Sequence, residues 1–295
     1  MRHRRRSRGV ARQFGLIAAQ GKPRAAQLAA VIRDWLRRQQ IAVVGESELD
    51  HASVDMLVTI GGDGLIMRAA HVYPDIPILG INMGHVGFLA MIEEDRWQEA
   101  LAQVLAGEYV VQESPTLSAH VTREDHAVSE GWAINDVVAR AGLQMIEIEL
   151  YIDGQYVNTY PGDGMIIATP QGSTAYCMAA GGPVLSAGVK GFAVTPICAH
   201  SPIRTTLVVP EEAVLELLLT SERDTTLVLD GQPQCKLQAG DLITVQRGVH
   251  RFLRVVLPEM NFYQAFRSKF NFQIRPDARP SRPLKLRHEL PTSRQ

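Results

Sequence analysis

The chain has 295 residues, about twice the usual domain length, so two domains are expected. Hydrophobic residues at 46% and charged residues at 21% are globular composition, which excludes a disordered or fibrous chain. The near balance of 30 basic and 31 acidic side chains excludes a generally basic nucleic-acid binder, and no apolar run reaches the roughly 18 residues that span a bilayer.

Residues 1–13 (MRHRRRSRGVARQ) carry six arginines, no acid and no apolar core, so a disordered basic arm is expected there rather than a secretory signal. Phe14 to Ala19 is a short apolar run. Arg24 to Gln39 is amphipathic, with Leu28, Val31, Ile32, Trp35 and Leu36 on one helical face. Ile41 to Val44, Met56 to Ile60 and Pro77 to Asn82 read as strands, and Glu93 to Leu105 as a helix. This alternation predicts an α/β domain over 14–112, Rossmann-like, with a mostly parallel sheet covered on both faces.

Beyond Glu113 the pattern is strand-rich and predicts a β-rich domain over 113–257. Strands are expected at Leu117–Val121, Trp132–Val138, Ile146–Ile152, Tyr156–Tyr160 and Met165–Thr169. More follow at Val194–Cys198, Thr206–Val209, Val214–Leu219, Thr226–Leu229, Leu242–Val245 and Phe252–Val256. Asp153-Gly154 and Asp230-Gly231 are hairpin signals, and one helix is expected from about Ser173 to Ala180. A further segment, 258–274, follows, and the Pro- and Arg-rich stretch 275–295 reads as a disordered tail. Without its two basic ends, the body 14–274 holds 18 basic and 29 acidic residues. The three cysteines (Cys177, Cys198, Cys235) contain no C-x-x-C pair, which fits neither a disulfide scaffold nor a zinc site and points to the cytoplasm.

Three segments carry chemistry. In TIGGDGLIMRAA (59–70) an apolar strand runs through Gly61-Gly62-Asp63-Gly64 into a helical pattern. Glycines allow close backbone approach or positive φ, and a helix start offers N–H groups to phosphate. Asp63 suits a hydroxyl, as base or orienter, or a Mg²⁺ ion bridging to phosphate; equally, it suits a helix cap. In PGDGMIIATPQGSTAYCMAAGGPVL (161–185) Ser173 or Thr174 suits a helix cap or a phosphate, and Tyr176 suits a nucleobase face or a core position. Asn135-Asp136, inside WAINDVVA, should place one polar side chain on a buried strand face. That pair suits a nucleobase and ribose diol, or a satisfied structural pair. No P-loop, G-x-G-x-x-G, G-x-S-x-G or H-E-x-x-H motif is present, and His85 and His200 have no helical partner for a metal.

Together, GGDG at 61–64, INMGHVGFL at 81–89, Asn135-Asp136, GDGMIIATPQGSTAY at 162–176, AGGP at 180–183 and DGQ at 230–232 resemble the NAD kinase family over roughly 14–275. GGDG alone is shared with lipid kinases and phosphofructokinases; its combination with the downstream motif is specific. The resemblance implies a phosphotransferase with an alcohol acceptor that converts NAD to NADP at the adenosine-ribose 2′-hydroxyl. It implies a divalent cation (Mg²⁺), ATP or polyphosphate as donor, and a homodimer or homotetramer with no nucleic-acid or membrane partner. It also implies the two-domain NAD kinase architecture, with 258–274 returning to the first domain through Phe262 to Phe270.

By the same resemblance Asp63 is the catalytic base or metal anchor, and Gly61 and Gly62 form the phosphate loop. Gly64, Arg68, Phe88, Asn135, Asp136, Asp163, Thr174, Ala175, Tyr176, Ala179 and Gln232 are the NAD-binding positions. Pro161 stands where the family often has Arg or Gly, Ala179 replaces its usual Ser, and Thr205-Thr206 replaces Arg-Pro. The competing readings are a lipid or sphingoid kinase sharing GGDG and a non-catalytic NAD(P)-binding sensor.

Overall fold

The computed structural model describes residues 13–51, 53–84, 87–186, 188–200 and 204–260, with Tyr263 and Phe266. The basic arm (apart from Gln13), His85, the C-terminal tail and the rest of the Phe262–Phe270 segment lie outside the described residues. The chain divides into two units, Met1–Glu113 with Leu253–Gln295, and Ser114–Phe252.

In the first unit the order is β1 (Gln13–Ala18), α1 (Pro23–Arg38), β2 (Ala42–Gly45), β3 (Met56–Gly61), α2 (Asp63–Val72), β4 (Ile78–Asn82), β5 (Ile92–Glu93) and α3 (Trp97–Leu105). Strands β2, β1, β3 and β4 pair in parallel in that order, and β5 adds to β4. All six residues of β3 are buried, as a central parallel strand requires. Helix α1 starts with Pro23 at its first turn, ends with Arg37 and Arg38, and buries Ala25, Leu28, Ala29, Ile32 and Leu36. These side chains join Phe14, Val58, Leu79 and Leu101 in one core. Helix α3 begins four residues later than the periodicity predicts, because Glu94–Arg96 form a 3-10 turn ahead of it.

The second unit follows β6 (Val110–Arg123) with β7 (His126–Ala133), β8 (Asp136–Ala141), β9 (Ile146–Ile152), β10 (Gln155–Gly162), β11 (Gly164–Ala168) and α4 (Tyr176–Ala179). It continues with β12 (Gly191–Ile197), β13 (Leu207–Pro210), β14 (Leu215–Leu219), β15 (Thr225–Leu229), β16 (Gln232–Leu237) and β17 (Leu242–Val256), of which the residues from Leu253 on belong to the first unit. One antiparallel sheet runs β13-β12-β11-β8-β15-β16. Strands β10, β9, β14 and the start of β17 form another, and inward residues of both, such as Val137, Ile167, Ile148 and Leu217, share a core.

Three expectations need correction, and one strand is new. Trp132–Val138 is not one strand: the chain bends at Ile134-Asn135, between β7 and β8. The helix expected from Ser173 to Ala180 is a 3-10 turn at Gly172–Thr174 and a four-residue α4, interrupted at Ala175, whose ψ of -125 is not helical. Leu242–Val245 and Phe252–Val256 belong to one fifteen-residue strand, because its exposed middle hides the apolar alternation. Strand β16, whose Gln and Pro lower its propensity, was not anticipated.

The β10–β11 junction depends on Gly164. Its φ is +143, and a Cβ there would stand 2.1 Å from the carbonyl oxygen of Ala139. Gly164→Ala is therefore expected to destabilise the protein by roughly 2–4 kcal/mol, read as a lower urea midpoint. A midpoint equal to the parent's would show that the junction accepts a side chain.

Candidate active site

Two constellations carry the polar chemistry, one in each unit. In the first, β3 ends at Gly61 and α2 starts at Asp63, with Gly62 in extended conformation as its cap. None of the three loop glycines has positive φ, so conformational freedom is not their purpose. A Cβ on Gly61 would stand 2.8 Å from Leu65, whereas Gly62 and Gly64 are exposed, with none of the described residues within 4 Å of a Cβ. The space above those two is open to a ligand.

Asp63 does not cap its helix. Its Oδ2 accepts from Phe88 N (2.9 Å), and Oδ1 accepts from Leu89 N (3.2 Å) and Ala90 N (3.0 Å). Gly87 makes room for it, since a Cβ there would stand 1.8 Å from Oδ1. The half-buried carboxylate is thus pinned by three successive N–H donors.

The second constellation is a cleft of about 560 Å³ within the β-rich unit. Asn135, Asp136, Val138 and Arg140 line it from one stretch, Ala175 and Tyr176 from another, and Thr226, Val228, Asp230, Gly231 and Pro233 from the β15–β16 hairpin. Asp230 organises it. Its Oδ2 accepts from Ile134 N (2.7 Å), and its Oδ1 from Asn135 N (2.6 Å) and Asp136 N (3.1 Å). These bonds hold the bend between β7 and β8, so Asn135 and Asp136 both reach the cleft instead of alternating across one strand. Thr169 closes the other side, donating its hydroxyl to Ile134 O (2.6 Å) and its N–H to Asn135 O (2.9 Å).

Asp136 is 4% exposed. Burial, reinforced by the Asp230 charge, pushes its carboxyl up from 3.8 to about 7. Near neutrality the carboxyl is therefore able either to donate or to accept a hydrogen bond. The Arg140 guanidinium lies over the Tyr176 ring at 5.6 Å, a cation–π contact on the cleft wall.

The structure thus brings Asn135, Asp136, Ala175 and Tyr176 together. The Thr174 hydroxyl donates to Gln171 O (3.3 Å), while buried Ser173 donates to Pro170 O (2.7 Å) and accepts from Leu185 N (2.9 Å), so neither caps α4. Asp163, Ala179 and Gln232 are exposed and are not among the residues lining this cleft. Arg68 is paired with Glu46 at 2.6 Å. Phe88 is buried, 6.4 Å between ring centroids from Phe266. His200 is exposed, and among the described residues no group of three metal-type side chains converges. Sequence reasoning missed Asp230, read only as a turn residue, and Arg140, whose sole signal was a charge at the end of an apolar strand.

Comparison with known proteins supplies the family. Residues 47–109 match the ATP-NAD kinase N-terminal domain, and residues 135–257 match the ATP-NAD kinase C-terminal domain. An NAD kinase of Thermomicrobium roseum is 60% identical over 275 residues, 92% of this chain and 96% of that protein. One of Geobacter metallireducens is 33% identical over 88% of this chain and 99% of its own length. The crystal structure of yeast NADH kinase complexed with NADH shares the fold, with a TM-score of 0.82 at 22% identity, covering 90% of this chain and 89% of that one. An NAD kinase from Archaeoglobus fulgidus in complex with ATP has a TM-score of 0.69 at 26% identity, covering 88% and 97%. A nucleotide-phosphorylating fold of an α/β unit and a β-rich unit is the class these observations define. The chain belongs to the NAD kinase family.

The buried Asp136 makes stability depend on pH. Below about 4 both folded and unfolded chains hold the proton; between 3.8 and about 7 only the folded chain keeps it, so stability falls as pH rises. Asp136→Asn removes that loss. Its urea stability should exceed the parent's near pH 8, by at most on the order of 4 kcal/mol, with the gap closing toward pH 4. A pH-independent difference would show that Asp136 titrates like an exposed carboxyl.

Proposed function

We propose that the chain phosphorylates NAD on its adenosine-ribose 2′-hydroxyl to give NADP, with ATP as donor and inorganic polyphosphate as the second candidate. The observation that carries this reading is the 60% identity to an NAD kinase across 92% of the chain. ATP is favoured because the similar archaeal kinase is complexed with it. The same proposal assigns the GGDG loop to 14–112, the dinucleotide site to 113–257 and a C-terminal segment to 258–274. A cytoplasmic homodimer or homotetramer is the accompanying assignment.

Phosphoryl transfer proceeds through a loose transition state, so alignment and charge stabilisation dominate. Asp63 takes the hydroxyl proton as transfer completes, its oxygens oriented by the N–H groups of 88–90. Gly61 and Gly62 offer backbone to the donor phosphates, and the open space at Gly62 and Gly64 admits them closely. Asn135 and Asp136 suit a dinucleotide because an amide and a half-protonated carboxyl present both donors and acceptors to hydroxyl and amide edges. Ala175 and Tyr176 supply the apolar wall, with Thr174, Ala179, Asp163, Phe88, Arg68 and Gln232 as further contacts. For Arg68 that contact means leaving Glu46, an exchange made cheap by the exposure of the pair.

Asp63 Oδ2 accepts from one N–H group and Oδ1 from two, so Oδ2 is the oxygen assigned to the hydroxyl proton or, as the alternative role, to the cation that accompanies the donor. A divalent cation would accompany the donor's phosphates, shielding their charge, as Mg²⁺ commonly does.

The test is incubation of the pure protein with NAD, Mg²⁺ and either ATP or polyphosphate, followed by an NADP-specific dehydrogenase assay. NADP formation is expected, and Asp63→Asn should lower turnover by roughly 10²–10⁴ with the fold intact. NADP from neither donor would favour a sensor, or a lipid kinase if diacylglycerol or sphingosine is phosphorylated instead.

A further inference from the structure

The first unit holds a buried cation that the reaction scheme leaves unused. Arg254, near the end of β17 where that strand pairs with Ile78 of β4, is 8% exposed. Its Nη1 donates to Phe88 O (2.8 Å) and its Nη2 to Gln112 Oε1 (2.6 Å). Both partners are neutral oxygens, and burying a guanidinium against neutral groups is costly. Burial lowers its proton affinity, bringing its pKa to about 10, while the Asp63 charge opposes that fall. It stays cationic at neutral pH.

The link between the two charges is one peptide group. The carbonyl of Phe88 and the N–H of Leu89 belong to the same amide. Its oxygen accepts from Arg254, and its N–H donates to Asp63 Oδ1 at 3.2 Å. In a trans peptide these two groups point in opposite directions, so guanidinium and carboxylate sit at the two ends of one amide dipole. The negative end faces the cation and the positive end the anion, and each contact polarises the amide in favour of the other. The adjacent N–H groups of Phe88 and Ala90 fix the carboxylate's remaining orientation.

We propose that Arg254 is a positioning residue for the Asp63 carboxylate, acting through the Phe88–Leu89 peptide. This rests on the reading of Asp63 as the base and deepens it. The guanidinium keeps the 88–90 segment, and hence the carboxylate oxygens, at the angle needed to meet a hydroxyl. It does not touch the dinucleotide, so its loss should appear in turnover more than in binding.

The experiment uses the full chain with NAD and ATP, and compares Arg254→Met, Arg254→Gln and Arg254→Lys in the parent and in Asp63→Asn. Near-ultraviolet circular dichroism and the thermal midpoint establish folding. In the parent, Met should lower kcat at least about tenfold with KM for NAD changed less than about threefold, and Lys should recover part of the loss. In Asp63→Asn the same Met change should cost less than about twofold, because the group it positions is gone. Equal losses in both backgrounds, or a folded Arg254→Met with kcat within twofold of the parent, would overturn the relay. Should Met not fold, Gln, which keeps a donor without charge, is held to the same numbers. Asp63→Asn with parental turnover would overturn the base assignment and the relay with it, whereas an active parent and an impaired Asp63→Asn with an indifferent Arg254→Met would sink the relay alone.

Discussion

A main-chain N–H removed from water must find an acceptor, and a single carboxylate can serve several at once. Each unit of this protein organises its polar constellation in that way. Asp63 gathers the N–H groups of Phe88, Leu89 and Ala90, and Asp230 those of Ile134, Asn135 and Asp136. Three consecutive N–H groups cannot converge on one side chain in an extended strand, because alternate groups point to opposite sides. The aspartates therefore impose non-strand geometry on otherwise apolar segments. The backbone nearby must then come close, which Gly87 and Gly172 permit: a Cβ on Gly172 would stand 2.0 Å from Asn135 O.

This arrangement resolves a difficulty set by charge. A body with 18 basic and 29 acidic residues has no net attraction for a polyanionic nucleotide. The two organising carboxylates are met by donors, and Asp136 is half neutral near physiological pH because it is buried. Repulsion at the cleft is smaller than the acid count implies. Arg140, spread over the Tyr176 ring, adds a cation to that wall.

Much of this was legible from sequence, for identifiable reasons. The parallel strands showed as compact apolar runs, since a strand buried on both faces has no polar side to confuse the pattern. Asn135 and Asp136 stood out because two polar residues interrupted such a run. Their geometry did not: alternation places them on opposite faces, while the bend that puts both in one cleft is made by Asp230, some 95 residues away in sequence. Asp230-Gly231 reads as a hairpin turn, and it is one, with φ of 48 and 79 at the two residues; the side chain's second task leaves no local trace. Arg254 is hidden for a similar reason. Within RFLRVV alternation sets it on the face of buried Phe252, yet an arginine there carries no local sign of the Phe88 and Gln112 oxygens that receive it.

Not every buried charge here has the same meaning. Arg123 grips Asp241 with two bonds of 2.7 and 2.8 Å. Burial pushes the Asp241 carboxyl up, but that fork and the Gln238 N–H overcome it and hold the group below its usual range. Such a pair quenches its own field and serves the fold. Asp136 and Arg254 differ: one is buried beside a like charge, the other against neutral oxygens, with the opposite charge one peptide away. Each remains electrostatically active, at a cost in stability that a direct ion pair would have removed. A fold selected for stability alone would pair or delete both. Their retention fits the roles proposed above, a carboxyl facing a ligand's hydroxyls at Asp136 and the orientation of the proposed base at Arg254.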